Sequence, residues 1–140
     1  MKKKRLKVEN NISQDHINLY SIASSESDIR ICFIINQTFG IDLSLAEDLI
    51  VQRKDTSWNF RNYFFERDHY ADKFYFIINR DNGSYLLPEL NKVDYLFLII
   101  SESGIADLDL FILKLKKQPE ISAVIPIDPG KIRSFNKLKF

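Results

Sequence analysis

The most apolar run in the sequence, Val93–Ile100, constrains the fold most strongly. A short apolar run of this kind is typical of a strand that is buried on both faces of a sheet. A helical pattern follows it, and Ile121–Ile127 then has the composition of a second strand. The crossover of about twenty residues allows the two strands to run parallel, with a right-handed connection.

The crossover itself is predicted to be a helix that begins at Ser103 and ends before Pro119. Lys114, Lys116 and Lys117 lie at its C-terminal end, where the helix dipole favours cations. Its apolar residues recur at helical spacing and predict the buried face, which comprises Ile105, Leu108, Phe111, Ile112 and Leu115.

The first part of the chain predicts a strand followed by a helix. Residues 17–23 alternate loosely enough for a strand, and apolar residues at helical spacing predict a helix over residues 25–39. Gly40 stands where that helix would end. Residues 41–51 are ambiguous, because they alternate like a strand while Ser44 and Glu47 have the spacing of a capping box. We favour a strand there.

The middle of the chain predicts antiparallel strands. Residues 59–67 and 73–80 are rich in aromatic residues and should pair with each other. Asn82-Gly83 is the strongest hairpin signal in the chain, because both residues adopt positive φ at low cost. Pro88 ends the following strand, since it has no N–H to donate to a neighbouring strand.

Together these elements predict an α+β fold. The strand and helix order matches a split β-α-β scheme, so we expect a largely antiparallel sheet with two helices on one face. The arrangement is ferredoxin-like or ACT-like, with extra hairpin strands in the middle of the chain.

The composition excludes several protein classes. With 45% apolar residues, 4 Gly and 4 Pro in 140 residues, the chain is neither disordered nor collagen-like. No apolar stretch is long enough to cross a membrane, and the N-terminus lacks the apolar segment of a secretory signal. We therefore expect a cytoplasmic protein without a membrane partner.

Charge is segregated along the chain. Residues 1–7 carry a net charge of +5 and residues 114–140 another +5, which leaves −9 between them for a total of +1. We divide the chain into a basic arm (1–10), one α+β domain (11–130) and a basic tail (131–140). Basic ends favour polyanions such as RNA, although solubilising ends are the plainer interpretation. The candidate RNA contacts are Lys2, Lys3, Lys4, Arg5, Lys137 and Lys139.

The sequence offers no catalytic set. His16 and His69 lack metal-ligand spacing to each other or to Cys32, so we predict no metal site, no cofactor and no catalytic residue. His69 lies in a polar turn, and Cys32 falls on an apolar helix face, where a buried and unreactive thiol is expected. The aromatic residues of the predicted strands would stack on RNA bases only if their rings were exposed. These aromatic residues are Trp58, Tyr63, Phe64, Phe65, Tyr75 and Phe76.

One segment carries a specific signal, Leu87-Pro88-Glu89-Leu90-Asn91-Lys92-Val93-Asp94-Tyr95. It resembles the signature of the bacterial IPExxxVDY family, with Leu87 in place of the leading Ile. The resemblance extends over roughly residues 17–125. It implies a small cytoplasmic protein of Bacteroidota and does not imply an activity.

Three signature residues are candidate binding residues: Glu89, Asp94 and Tyr95. Each also has a structural interpretation. Glu89 can accept N–H groups within a turn, and Asp94 on an apolar strand would be a buried carboxylate that needs an Arg, a Lys or backbone donors. Both interpretations stay open from the sequence alone.

We therefore interpret the chain as a non-enzymatic binding or adaptor protein. We favour a protein partner over RNA, and we expect a homodimer built through sheet edges or the helical face. The alternatives are an RNA-associated accessory protein and an ACT-like sensor of a small ligand. Salt-dependent RNA binding would indicate the first alternative, and stabilisation by a small ligand the second.

Overall fold

The computed structural model of the chain describes residues 16–67, 71–138 and 140. The elements are β1 Ile17–Ala23, α1 Asp28–Phe39, β2 Ser44–Leu45, β3 Leu49–Arg53, β4 Thr56–Phe60, β5 Asn62–Arg67, β6 Asp72–Ile78, β7 Arg80–Asp81, β8 Ser84–Tyr85, β9 Tyr95–Ile100, α2 Leu108–Lys116 and β10 Ala123–Ile127. Six strands form the main sheet in the order β10-β1-β9-β6-β5-β2. Each neighbouring pair in that sheet is antiparallel.

The sheet order confirms the predicted α+β class. β1 lies between β9 and β10 and is antiparallel to both, so β9 and β10 run in the same direction with one strand between them. With β6 beside β9, four strands and two helices form the split β-α-β order of a ferredoxin-like fold. β5 and β2 are the extra strands and extend the sheet beyond β6.

Both helices pack on one face of this sheet, as predicted. Ser27 caps α1 by accepting the N–H of Arg30, and Gly40 ends α1 with a φ of 66°. The buried helix residues share one core with inward residues of β1, β6 and β9. This core includes Ile31, Ile35, Ile112, Leu115, Ile22, Phe76 and Phe97.

The opposite face of the main sheet is covered by a second core, to which neither α1 nor α2 contributes. The β3–β4 hairpin contributes Phe60, the segment after β8 contributes Leu86 and Leu87, and the C-terminal segment contributes Ile132 and Phe135. The described part of the predicted basic tail therefore packs on the sheet. Burial on both faces explains why β9 is an almost uninterrupted apolar run.

Several sequence-based boundaries were wrong: the first helix begins at Asp28 and not at residue 25, and the strand expected from Val93 begins at Tyr95. Three further differences change the fold. Residues 41–51 do not form one strand, because β2 joins the main sheet while β3 pairs with β4 in a separate hairpin. Likewise, residues 59–67 change sheets at Arg61, between β4 and β5. The last helix begins after Asp107 and not at Ser103, since Asp107 and Gly104 have φ values of 58° and 81°, which a right-handed helix excludes.

Asn79, directly after β6, holds the chain between β8 and β9 in place. Its side chain is 0% exposed. The amide nitrogen donates to the carbonyl oxygens of Leu90 at 3.0 Å and Val93 at 2.8 Å. The amide oxygen accepts the N–H of Leu87 at 2.9 Å, and the Asn79 backbone N–H donates to the carbonyl of Asp94 at 2.8 Å. One buried residue therefore satisfies four backbone groups of the signature segment.

We expect the substitution Asn79→Ala to lower the free energy of unfolding by about 3 kcal/mol or more, because it removes three hydrogen bonds and leaves the Leu87 N–H and the Val93 carbonyl unpaired. Urea denaturation measures this loss. Asn91→Ala is the matched control, since Asn91 is exposed in the same segment, and its effect should stay below about 0.5 kcal/mol. A loss below about 1 kcal/mol for Asn79→Ala would contradict this role.

Candidate functional site

A groove of about 790 Å³ lies on the side of the second core, and we call it the β3 groove. Residues 48–53 all line it, so the groove follows the length of β3. The C-terminal segment provides further lining through Arg133, Ser134, Lys137, Leu138 and Phe140. Leu86 and the signature residues Pro88 and Glu89 complete the lining.

The backbone edge of β3 that faces away from β4 has no strand partner among residues 16–67, 71–138 and 140. A two-residue turn joins Arg53 to Thr56, so these residues form the first hydrogen-bonded pair of the hairpin. Hydrogen-bonded and non-hydrogen-bonded pairs alternate from there. Ile50 and Gln52 therefore direct their backbone N–H and C=O groups away from β4.

A hydrogen bond on the other side of the hairpin supports this alternation. Asn59 is opposite Ile50, and its backbone N–H donates to a carboxylate oxygen of Asp81 at 3.0 Å, outside the hairpin. The Ile50–Asn59 pair is therefore not hydrogen-bonded across the two strands. Ile50 leaves its backbone donor and acceptor on the groove side, where another strand could pair with them.

The C-terminal wall of the groove is anchored by aromatic packing. Ile132 and Phe135 are buried in the second core. The ring of Phe140 lies 5.8 Å from that of Phe135 and 4.9 Å from that of Tyr75 in the main sheet. This wall is therefore part of the folded domain.

Glu89 joins the signature segment to the C-terminal wall. Its carboxylate accepts the backbone N–H of Ser134 at 3.0 Å and also accepts the Ser134 hydroxyl. These hydrogen bonds hold the pKa of Glu89 below its ordinary value. The predicted binding residue Glu89 thus lines the groove while its carboxylate is used to position the opposite wall.

The exposed charged residues of the groove that form no salt bridge with another described residue include Arg133 and Lys137 in the C-terminal wall and Asp48 just before β3. Arg53 is occupied, because its guanidinium donates to the carbonyl oxygens of Tyr85 at 2.8 Å and Leu86 at 2.9 Å. Arg133 and Lys137 are exposed, and no carboxylate of the described residues lies within salt-bridge distance of either. A groove with apolar lining and a basic C-terminal wall fits a ligand that has apolar groups and an acidic group near that wall.

The structure does not bring the three signature candidates together. Asp94 precedes β9 and does not lie on it, so the expected burial was wrong. Its side chain is 43% exposed and lies 3.4 Å from the guanidinium of Arg80, which is the expected type of partner. Tyr95 stacks on Phe76 and donates its hydroxyl to the carbonyl of Glu26 at 2.7 Å. It is away from the β3 groove.

Tyr95 lines a second, polar cavity of about 510 Å³ beside α1. There Asp28 accepts the Tyr63 hydroxyl at 2.7 Å and the Arg61 guanidinium at 2.9 Å. Burial raises the pKa of Asp28, but these two hydrogen bonds outweigh it and leave that pKa lowered. Burial and the bond to Asp28 raise the pKa of Tyr63 to about 12. Asp28 and Arg61 are thus paired within this cavity, whereas Asp48 and Asp81 also line it and form no salt bridge with another described residue.

The remaining predicted residues fall into four groups. Lys137 lines the β3 groove. Cys32 is buried as predicted, and burial raises the pKa of its thiol to about 11. Tyr63, Tyr75 and Phe76 are buried, so they do not form an exposed stacking surface for RNA. The residues outside the described part of the chain are Lys2, Lys3, Lys4, Arg5, His69 and Lys139.

Sequence reasoning missed the β3 edge, Arg133 and Ser134. A signal for the C-terminal wall was present, because Ile132, Phe135 and Leu138 recur every third residue. That spacing is typical of short 3₁₀ turns that bury one side, and two such turns form here. The edge of β3 had no corresponding signal, because the pairing of a strand edge depends on which segments lie beside it in the folded chain.

A scan of protein-family models, a search of curated proteins and a search of solved structures each find no match to this chain. The resemblance to the IPExxxVDY family stays a prediction. Within residues 16–67, 71–138 and 140, no helix is long and apolar enough to cross a membrane. The same residues contain no group of three His, Cys, Asp or Glu side chains that could hold a metal ion.

We expect Glu89 to control the docking of the C-terminal wall in a pH-dependent way. Because the folded-state pKa of Glu89 is lowered, its contribution is present above the ordinary value of 4.5 and is lost as the pH falls through the folded-state pKa. The Ser134 amide signal in NMR spectra should titrate with a midpoint below 4.5. Glu89→Gln should abolish that transition, and an unchanged titration in this variant would contradict the assignment.

Asp94→Ala should lower the free energy of unfolding by less than about 1 kcal/mol, because the pair with Arg80 is exposed to solvent. Asp72→Ala serves as the comparison. Asp72 is buried and accepts the Ser101 hydroxyl at 2.6 Å, so its loss should cost about 2 kcal/mol or more. Equal losses in chemical denaturation would show that Asp94 has a buried role after all.

Proposed function

We propose that the chain is a non-enzymatic binding module that takes an extended peptide segment of a partner protein into the β3 groove. The observation that carries this proposal is the backbone edge of β3, which no other strand of the described part of the chain pairs with and which runs along a groove with apolar lining. Extended peptides bind such edges by adding a strand, so that main-chain hydrogen bonds supply affinity and side-chain pockets supply specificity.

The dimensions of the groove support a short peptide. Residues 48–53 extend over about 20 Å at the usual rise per residue of a strand. A segment of about six residues would match that length. Its backbone would meet the free N–H and C=O groups of Ile50 and Gln52.

The lining supports a particular peptide composition. Leu49, Val51, Leu86 and Leu138 line the groove and pack at the margin of, or within, the second core. Because side chains of a strand alternate between its two sides, apolar residues at every second peptide position would face this surface. An acidic residue near Arg133 and Lys137 would complement the positive charge of the C-terminal wall.

The protein partner is preferred to the two alternatives for geometric reasons. A stacking role for the strand aromatics in RNA binding has no support from the buried rings, and in the polar cavity beside α1 the Asp28 and Arg61 side chains already pair with each other. The RNA and small-ligand roles stay predictions. The β3 groove favours a ligand that can form strand-type hydrogen bonds.

The experiment is selection of binding peptides from a displayed random library with the full chain as bait, followed by calorimetry on the enriched peptides. Gln52→Pro should weaken peptide binding at least about tenfold, because it removes an N–H that faces the groove. The same N–H does not bond to β4, so an edge proline there is compatible with the fold. Gln52→Ala is the matched control, since it keeps the N–H.

Two further results decide the outcome. Melting curves of the two Gln52 variants should agree closely, which separates lost binding from lost folding. Arg133→Glu should weaken acidic peptides and leave neutral peptides little changed. Equal affinity of the two Gln52 variants would exclude strand addition at β3, and the absence of enriched peptides would overturn the proposed function.

A further inference from the structure

The outer surface of α2 is apolar at its centre. Leu110 and Leu113 are 49% and 47% exposed, and they lie one turn apart on the side away from the sheet. Ile112 and Leu115 on the opposite side fill the core under the helix. Two exposed leucines on a helix of nine residues are more apolar surface than helix formation or core packing requires.

Charges of opposite sign flank the two leucines. Asp107 and Asp109 lie at the N-terminal end of α2, and Lys114 and Lys116 at the C-terminal end. All four side chains are exposed, and none forms a salt bridge with another described residue. The outer surface of α2 is thus acidic at one end, apolar in the middle and basic at the other end.

We propose that this surface binds a second copy of the chain, with the two α2 helices packed antiparallel about a two-fold axis. A two-fold interface requires a surface that is complementary to itself. A helix with acidic and basic ends meets that requirement in the antiparallel orientation, because each end then faces the opposite charge. In the parallel orientation like charges would meet.

The spacing of the residues fixes the register. Leu110 lies opposite Leu113 of the partner subunit, with the axis passing midway between these positions. Asp107 then comes next to Lys114 of the partner subunit along one flank of the contact between the leucines. Along the other flank, Asp109 comes next to Lys116 of the partner subunit, and the two-fold axis repeats both pairs at the other end of the interface.

α1 enlarges the surface. It lies beside α2 in the same layer, as shown by the 5.3 Å between the ring centroids of Phe39 on α1 and Phe111 on α2. Its outward side adds Phe33, which is 49% exposed. Two short helices provide an interface at the lower end of the range for specific complexes, so the dimer should dissociate in the micromolar range.

Sedimentation velocity of the full chain over a concentration series tests the proposal with two charge-reversed variants. One variant carries Asp107→Lys and Asp109→Lys, and the other carries Lys114→Glu and Lys116→Glu. Each variant alone should associate at least about tenfold more weakly than the unmodified chain, because like charges now meet. An equimolar mixture should restore association, since the reversed surfaces complement each other.

Controls separate the interface from net charge and from folding. Lys54→Glu with Lys92→Glu changes the net charge as much as Lys114→Glu with Lys116→Glu does, but at exposed sites outside α2, and should leave association unchanged. Circular dichroism of each variant checks that α2 is retained. A chain that stays monomeric up to about 1 mM would overturn the proposal. Association that the α2 reversals do not affect would also overturn it and would place the contact elsewhere, such as at β10, the last strand of the main sheet.

Discussion

The buried amide of Asn79 is the interaction on which the rest of the structure depends. It satisfies backbone groups of Leu87, Leu90 and Val93, which lie in a segment with almost no regular secondary structure. Polar backbone groups next to a core need partners, and a segment of this kind has few of its own. By supplying them, Asn79 directs Leu86 and Leu87 into the second core and brings Glu89 to the surface.

The position of Glu89 also determines where the C-terminal wall of the β3 groove lies. Glu89 holds Ser134, and Ile132 and Phe135 on either side of Ser134 are buried against the sheet. The C-terminal wall therefore depends on the same segment that Asn79 orders. The two helices cover the other face of the sheet, which leaves this wall and the β3–β4 hairpin to enclose the β3 groove. Signature residues thus shape the groove through positioning.

Sequence patterns predicted the elements whose causes are local. Asn82-Gly83 formed its turn because both residues tolerate positive φ, and the run 95–100 was recognisable because it is buried on both faces. Patterns failed where the cause is tertiary. The chain changes sheets at Arg61 without a local signal, and the exposure of Asp94 follows from where the sheet ends. The open edge of β3 and the pairing of Glu89 with Ser134 depend on contacts distant in sequence, which spacing cannot reveal.

The most direct test of the account is amide hydrogen exchange of the chain with and without a bound peptide. Exchange at Ile50 and Gln52 should slow at least about tenfold on binding, because their N–H groups gain partners. Val51 is the internal reference, since its N–H already faces β4 in the hairpin and should change little. Protection confined to the helical face, or equal protection of Val51 and its two neighbours, would contradict strand addition at the β3 groove.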